Sequence, residues 1–300
     1  MADKPSGQLI NIDAGDLGAA AKTLIERISI GCGTYFEPHK IIRKAKAEAE
    51  ADKVKALSKI EIKGIEERAL HRLIHEEKRK QENIEAITSQ AIEYLPADAE
   101  PQNINEDWVT RFLEKCKTIS DKEMQDLWAK VLAGEAKKTG AYSKRTLEIL
   151  YNLDKDDANF FTNVCRFGWN GTYTPLIIIF DFSAEIYKNN GITFAQLEHL
   201  EAIGLLKFLK GGTSYTLEIP SPTWMIYFDK TPFMVESKKP VVVGQVSLTE
   251  AGRQLFSICG ATAVEGVCDY TKKAMQNAGA EIHEFLSFNP APVTSSNHKA

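Results

Sequence analysis

Residues 39–59 read HKIIRKAKAEAEADKVKALSK, and residues 65–95 read IEERALHRLIHEEKRKQENIEAITSQAIEYL. Pro38 and Pro96 bracket this stretch, and no proline falls inside it. Ala, Glu, Lys, Arg and Gln are strong helix formers, so the spacing predicts helix from one proline to the other. As one straight rod, at a rise of roughly 1.5 Å per residue, it would be about 80 Å long. A compact chain of this length has a radius of gyration of roughly 19 Å, hence a diameter of about 50 Å. The rod does not fit inside its own protein. It folds back as a hairpin or projects as a stalk toward a partner.

Val54, Leu57, Ile60 or Glu61, Ile65, Ala69 or Leu70, Leu73 and Ile74 recur at helical spacing, and Ile84, Ile87 and Ala91 resume the stripe. Such a narrow seam is closer to a coiled coil than to a broad core face. Val54, Leu57, Ile65, Leu73 and Ile74 are therefore the candidate residues of a homo-oligomer interface. Gly64, which costs about 1 kcal/mol relative to Ala in a helix, and the apolar-free stretch Glu76–Asn83 are the candidate bends.

The chain is 43% hydrophobic and 26% charged, with a net charge of −4, an ordinary globular composition that offers no global attraction to nucleic acid or anionic lipid. The five cysteines are scattered, with no CxxC pair, which argues against a disulfide framework and a structural zinc site. No segment has the apolar length of a signal peptide or a membrane span. The expectation is a cytoplasmic protein.

The remaining punctuation predicts five regions. Residues 1–37 hold a leader and an amphipathic helix, Leu17–Ile30, capped by Asp16, with Leu17, Ala21, Leu24, Ile25 and Ile28 on one face. This helix reads as a packing element, with an interfacial membrane helix as the alternative. Residues 38–96 are the long charged helix or hairpin. Residues 104–167 form a helical module, in which Ser120 and Glu123 make a capping box for Asp121–Gly134. Ser143 and Asp154 open the two helices that follow, and Trp108, Trp128 and Trp169 read as core. Residues 168–288 turn to an α+β pattern: an apolar strand at 174–180, a helix after Ile192, a hairpin from Phe208 to Ile219 through Gly211-Gly212, further strands at 224–228 and 241–246, and the helix TEAGRQLF at 249–256. Residues 289–300 have a disordered composition. The fold class is mostly α with a C-terminal α+β part.

No reaction is legible. His71 and His75 share a helix face at metal-chelating spacing, but no third ligand accompanies them. No GxGxxG, GxxxxGK[ST] or GxSxG occurs. No catalytic residue, metal or cofactor is assigned. The order of elements from Ile192 to Phe256 is winged-helix-like, with Gln196, His199, Lys207 and Lys210 as candidate partner-binding residues. Glu198 and Glu201 occupy the helix where phosphate contacts want basic side chains, so a protein partner is favoured over DNA.

The segment from Ile92 to Phe161 resembles the bacterial family called domain of unknown function 2806, above all in ISDKEMQDLWAKVLAGE (119–135) and SKRTLEILYNLDKDDA (143–158). Residues 45–62, the FGW at 167–169 and LTEAGRQLFSICG (248–260) resemble the family too. The resemblance implies no activity. The helix DKEMQDLWAKVLA (121–133) is also similar to one in abortive-infection proteins of bacterial antiviral defence. Together these readings give a non-enzymatic, self-assembling sensor, adaptor or effector acting through protein contacts. The alternatives are a winged-helix DNA-binding regulator and a membrane-acting effector.

Overall fold

The computed structural model describes residues 18–33, 64–171, 175–218 and 222–284. The chain divides into two units, Met1–Asn152 and Leu153–Ala300. Helices build the described part of the first, and the second adds strands, so the fold is mixed α+β as the sequence predicts. Among the described residues no helix is long and apolar enough to cross a membrane.

The first unit contains α1 (Ala19–Cys32), α2 (Ile65–Tyr94), α3 (Glu106–Cys116), α4 (Lys122–Lys137) and α5 (Lys144–Asn152). In α1, Ala21, Leu24, Ile25 and Ile28 are buried, which is the face the sequence sets on one side. Asp16 and Leu17 lie outside the described residues. Helix α1 crosses α3 closely, since a Cβ on Gly31 would stand 2.8 Å from Val109 Cγ1 and 2.9 Å from Leu113 Cδ1. The apolar face of α1 is thus occupied by packing.

Helix α2 starts directly after Gly64, whose φ of 71° and ψ of −108° are not helical. From there it runs unbroken for 30 residues. The bend expected at Glu76–Asn83 does not occur, because that stretch consists almost wholly of strong helix formers. Side-chain pairs one turn apart add support: Lys80 to Glu77 at 2.6 Å and Gln81 to Glu85 at 2.8 Å.

Trp108 stacks on Phe112 at 5.2 Å, and Phe112 meets Trp128 edge-on at 5.3 Å, joining α3 and α4 in one core. The capping of α4 differs from expectation. Asp121 Oδ1, not Ser120, accepts from the Glu123 and Met124 amides, both at 3.0 Å. A carboxylate is the stronger acceptor at a helix N-terminus. The α4 helix also continues past Gly134 to Lys137. Ser143 opens α5 as expected, accepting from Thr146 N at 3.1 Å.

The second unit opens with α6 (Lys155–Cys165). Its predicted start at Asp154 is a reciprocal capping box: Asp154 Oδ1 accepts from Asp157 N at 2.9 Å and Asp157 Oδ2 from Asp154 N at 3.0 Å. The elements that follow are β1 (Gly168–Gly171), β2 (Leu176–Ile177), α7 (Glu185–Lys188), α8 (Phe194–Ala202), β3 (Leu206–Phe208), β4 (Tyr215–Leu217), β5 (Thr223–Ile226), β6 (Phe233–Glu236), β7 (Val241–Gly244), β8 (Val246–Leu248), α9 (Glu250–Phe256), α10 (Val267–Asn277) and β9 (Glu281–Glu284). Antiparallel pairing gives a five-stranded sheet in the order β2-β1-β5-β6-β9. Trp169 on β1 is fully buried against Tyr227 and Phe233.

The predicted hairpin between Phe208 and Ile219 does not form. Strand β3 pairs with β8 and β4 pairs with β7. Leu206 and Phe208 have apolar partners to bury in Leu248 and Val246. The intervening Lys210–Ser214 has none. Ile179 bridges Gly244, where a Cβ would lie 2.0 Å from Ile179 O and φ is 106°, so only glycine fits.

Candidate functional site

The outer half of α2 is largely exposed. Ile65 is 74% exposed and Leu73 is 55% exposed, while Leu70 and Ile74 are half-buried. The inner half buries Ile84, Ile87 and Ala91. Leu70 and Leu73 stand two heptads before Ile84 and Ile87, so they continue the same seam. Among the described residues α4 packs most extensively on α2, and α1 and α3 touch it as well. Of the predicted interface residues, Ile65, Leu73 and Ile74 share this outer half, while Val54 and Leu57 lie outside the described residues.

Buried polar groups set the position of α2 on α4. Asn83 Nδ2 donates to Lys117 O at 3.0 Å and is 3.1 Å from Ser120 Oγ. Gln125 Nε2 on α4 donates to Asn83 Oδ1 at 3.1 Å and to Ile119 O at 2.9 Å. Each of these interactions needs one axial placement of α2, so the network fixes register. Near the end of α2, Tyr94 OH donates to Asp126 at 2.5 Å, and Lys130 reaches the same carboxylate at 2.7 Å. The Asp126 hydrogen bond pushes the Tyr94 phenol up to about 12. Burial pushes Asp126 up, but the hydrogen bonds from Lys130 and Tyr94 outweigh it and hold the carboxyl below its ordinary value.

In the second unit the candidate surface is the exposed side of α8 and β3. Thr193 caps α8 through Gln196 N, which places Gln196 in the first turn. His199 is engaged by Asp157, Nε2 to Oδ1 at 2.5 Å, with Phe160 edge-on to its ring. Lys207 is exposed on β3, opposite Ser247. Lys210 pairs with Glu198 at 2.8 Å and Glu201 at 3.6 Å, and the Glu198 bond raises its pKa. The structure therefore brings Lys210 into α8's own acidic residues and ties His199 to α6. What the sequence reading missed is aromatic: Phe194, exposed at the start of α8, contacts Phe182 at 5.8 Å and the buried Phe208 at 5.5 Å. The Phe194–Phe208 spacing across a helix and a strand gave no periodic signal.

Among the described residues, one group could offer three metal ligands. Glu236 and Glu281 are opposed across β6 and β9, with His283 Nε2 at 3.6 and 3.9 Å from their carboxylates. All three are exposed. Charged side chains on the edge strand β9 resist edge-to-edge pairing. His71 and His75 are both exposed, and no third ligand gathers with them among the described residues.

A family model described as a protein of unknown function (DUF2806) matches residues 67–272, more than two thirds of the chain. That range contains the 119–135, 143–158, 167–169 and 248–260 segments, whereas 45–62 falls before it. No curated protein and no solved structure matches the chain.

Proposed function

The chain belongs to the DUF2806 family of proteins of unknown function, and from that premise we propose a non-enzymatic protein that self-assembles by pairing the outer half of α2 with α2 of a second copy. One observation carries this reading. Two heptads before the buried Ile84 and Ile87 the same phase returns at Leu70 and Leu73, of which Leu73 stays exposed, and Ile65 is exposed at the start of the helix. Covering a leucine- or isoleucine-sized side chain recovers about 1.5–3 kcal/mol. Acidic and basic residues alternate around this stripe, so a second copy meets it without net repulsion. The test is the absolute mass of the full chain in solution, compared with a Leu73→Lys variant.

The second unit supports a winged-helix-like reading through its order of elements: the Ile179 bridge, α7, α8, then β3 and β4 paired with β8 and β7. Lys210 is matched within its own module, which weighs against a phosphate-binding role. An exposed Phe194 flanked by Lys210 at 5.9 Å suits a protein partner. The biological setting we propose is antiviral defence, as sensor, adaptor or effector. It rests on the likeness of the helix at 121–133 to abortive-infection proteins. Expression in a phage-sensitive bacterium tests it: unchanged phage plating removes the defence setting and leaves the assembly reading standing.

A further inference from the structure

Strands β6 and β9 set like charges face to face. In their antiparallel register Glu236 stands opposite Glu281, and Met234 stands opposite His283. Phe233 and Val235 are buried, so Met234 and Glu236 occupy the other face of β6. Pairing puts Glu281 and His283 on that same face. Like charges directly opposite one another destabilise a strand pair. Among the described residues the only basic side chain within ion-pair distance of either carboxylate is His283, at 3.6 Å from Glu236 and 3.9 Å from Glu281. Glu284, on the opposite face of β9, has a lysine of its own: Lys272 reaches it at 2.7 Å. Burial does little to hold this strand. It lies at the edge of the five-stranded sheet, and Ile282 alone in it is even half-buried.

We propose that Glu236, Glu281 and His283 bind a divalent transition-metal ion of the zinc class, which clasps β9 onto β6. The ligand atoms converge, since a nitrogen of His283 and one oxygen of each carboxylate all lie within 4.8 Å of one another. Tetrahedral zinc, with bonds of about 2.0–2.2 Å, needs its ligand atoms about 3.4 Å apart. The His283 distances of 3.6 and 3.9 Å are already close to that spacing. Rotation of the exposed glutamate side chains supplies the remaining movement. Two carboxylates balance the charge of the ion. The imidazole nitrogen favours zinc over magnesium or calcium, which prefer oxygen throughout. The fourth position faces solvent at the sheet edge, where water completes the coordination.

Edge protection alone asks only for charge on the strand, on either face. It does not ask three ligand atoms from two strands to gather at one point. An ion held across β6 and β9 binds the paired strands better than the parted ones, so it stabilises the pairing that burial leaves weak.

The test strips the full chain of metal with a chelator, adds zinc in steps and reads amide hydrogen exchange by mass spectrometry. The expected result is slower exchange across residues 233–236 and 281–284, with no such protection from magnesium at the same concentrations. His283→Ala is expected to raise the zinc concentration for half protection about tenfold or more. Replacing both His71 and His75 by Ala is expected to leave it unchanged, which separates this site from the pair on α2. Three results overturn the proposal: zinc that does not slow exchange in β6 and β9, equal protection from magnesium, or an unshifted midpoint in His283→Ala. The zinc and magnesium comparison is read on the wild-type chain, so it does not depend on how well a variant folds.

Discussion

Gln125 Nε2 donates to Asn83 Oδ1 at 3.1 Å, and both side chains are buried between α2 and α4. Helix α2 is therefore held by polar groups at its middle as well as by Ile84 and Ile87. The inner half is fixed, while Ile65 and Leu73 on the outer half stay exposed.

Asn83→Ala removes the acceptor for Gln125 and the donor for Lys117 O. An unsatisfied buried polar group costs about 1–3 kcal/mol, so urea unfolding is expected to show a loss in that range. The double replacement Asn83→Leu with Gln125→Leu is expected to cost less than the sum of the single changes, because neither side chain then lacks a partner. Additive losses would show that the two residues act separately.

Gly252 brings α9 against the chain just before β3. A Cβ there would lie 2.0 Å from Leu205 O, a backbone atom that cannot swing away. Thr249 Oγ1 ties the same place together, bonding Gly204 O at 2.6 Å and accepting from Gly252 N at 3.1 Å. Overpacking of this kind costs about 1–3 kcal/mol. Gly252→Ala is expected to lower the denaturation midpoint of the second unit accordingly, and an unchanged midpoint would contradict the close approach.

Glu135 is 1% exposed, and its carboxylate accepts from Gly140 N at 2.7 Å and Tyr142 N at 2.9 Å. Burial raises its pKa, and the backbone amides only partly oppose that. A carboxyl raised in the folded state stabilises most below its unfolded pKa, and the contribution is lost as pH rises through the folded value. Against Glu135→Gln, the wild-type chain is expected to lose relative stability as pH rises above the ordinary carboxylate range, then level off. Denaturant titrations at stepped pH read the slope, and a slope of opposite sign would mean that the amides outweigh burial.

The helices of the first unit were legible because local chemistry marks them. Ser143 accepts from an early amide of the helix it opens, as its sequence position signals, and Trp108 and Trp128 mark the core faces. Pairing between distant segments was not legible. The glycines at 211 and 212 signal a turn but cannot say that β3 belongs with β8. Helix α10 escaped because it begins after Gly266 with no side-chain cap and buries only Val267, Thr271 and Met275. Strand β9 reads EIHE, which has no apolar run to find. Asp157 could be read as a cap, yet its hold on His199 arises from tertiary packing between α6 and α8.

The self-assembly we propose depends on the exposed stripe of α2. Deleting the helix would uncover α4, so a point substitution on the outer half is the cleaner probe. The decisive measurement is the absolute mass in solution of the full chain and of Leu73→Lys, at matched concentration. An oligomer is expected for the wild-type chain and a shift toward the monomer for the variant, with an unchanged helical signal. A wild-type chain that is monomeric across the concentration range, or a variant that assembles as well as the wild type, would contradict pairing through α2.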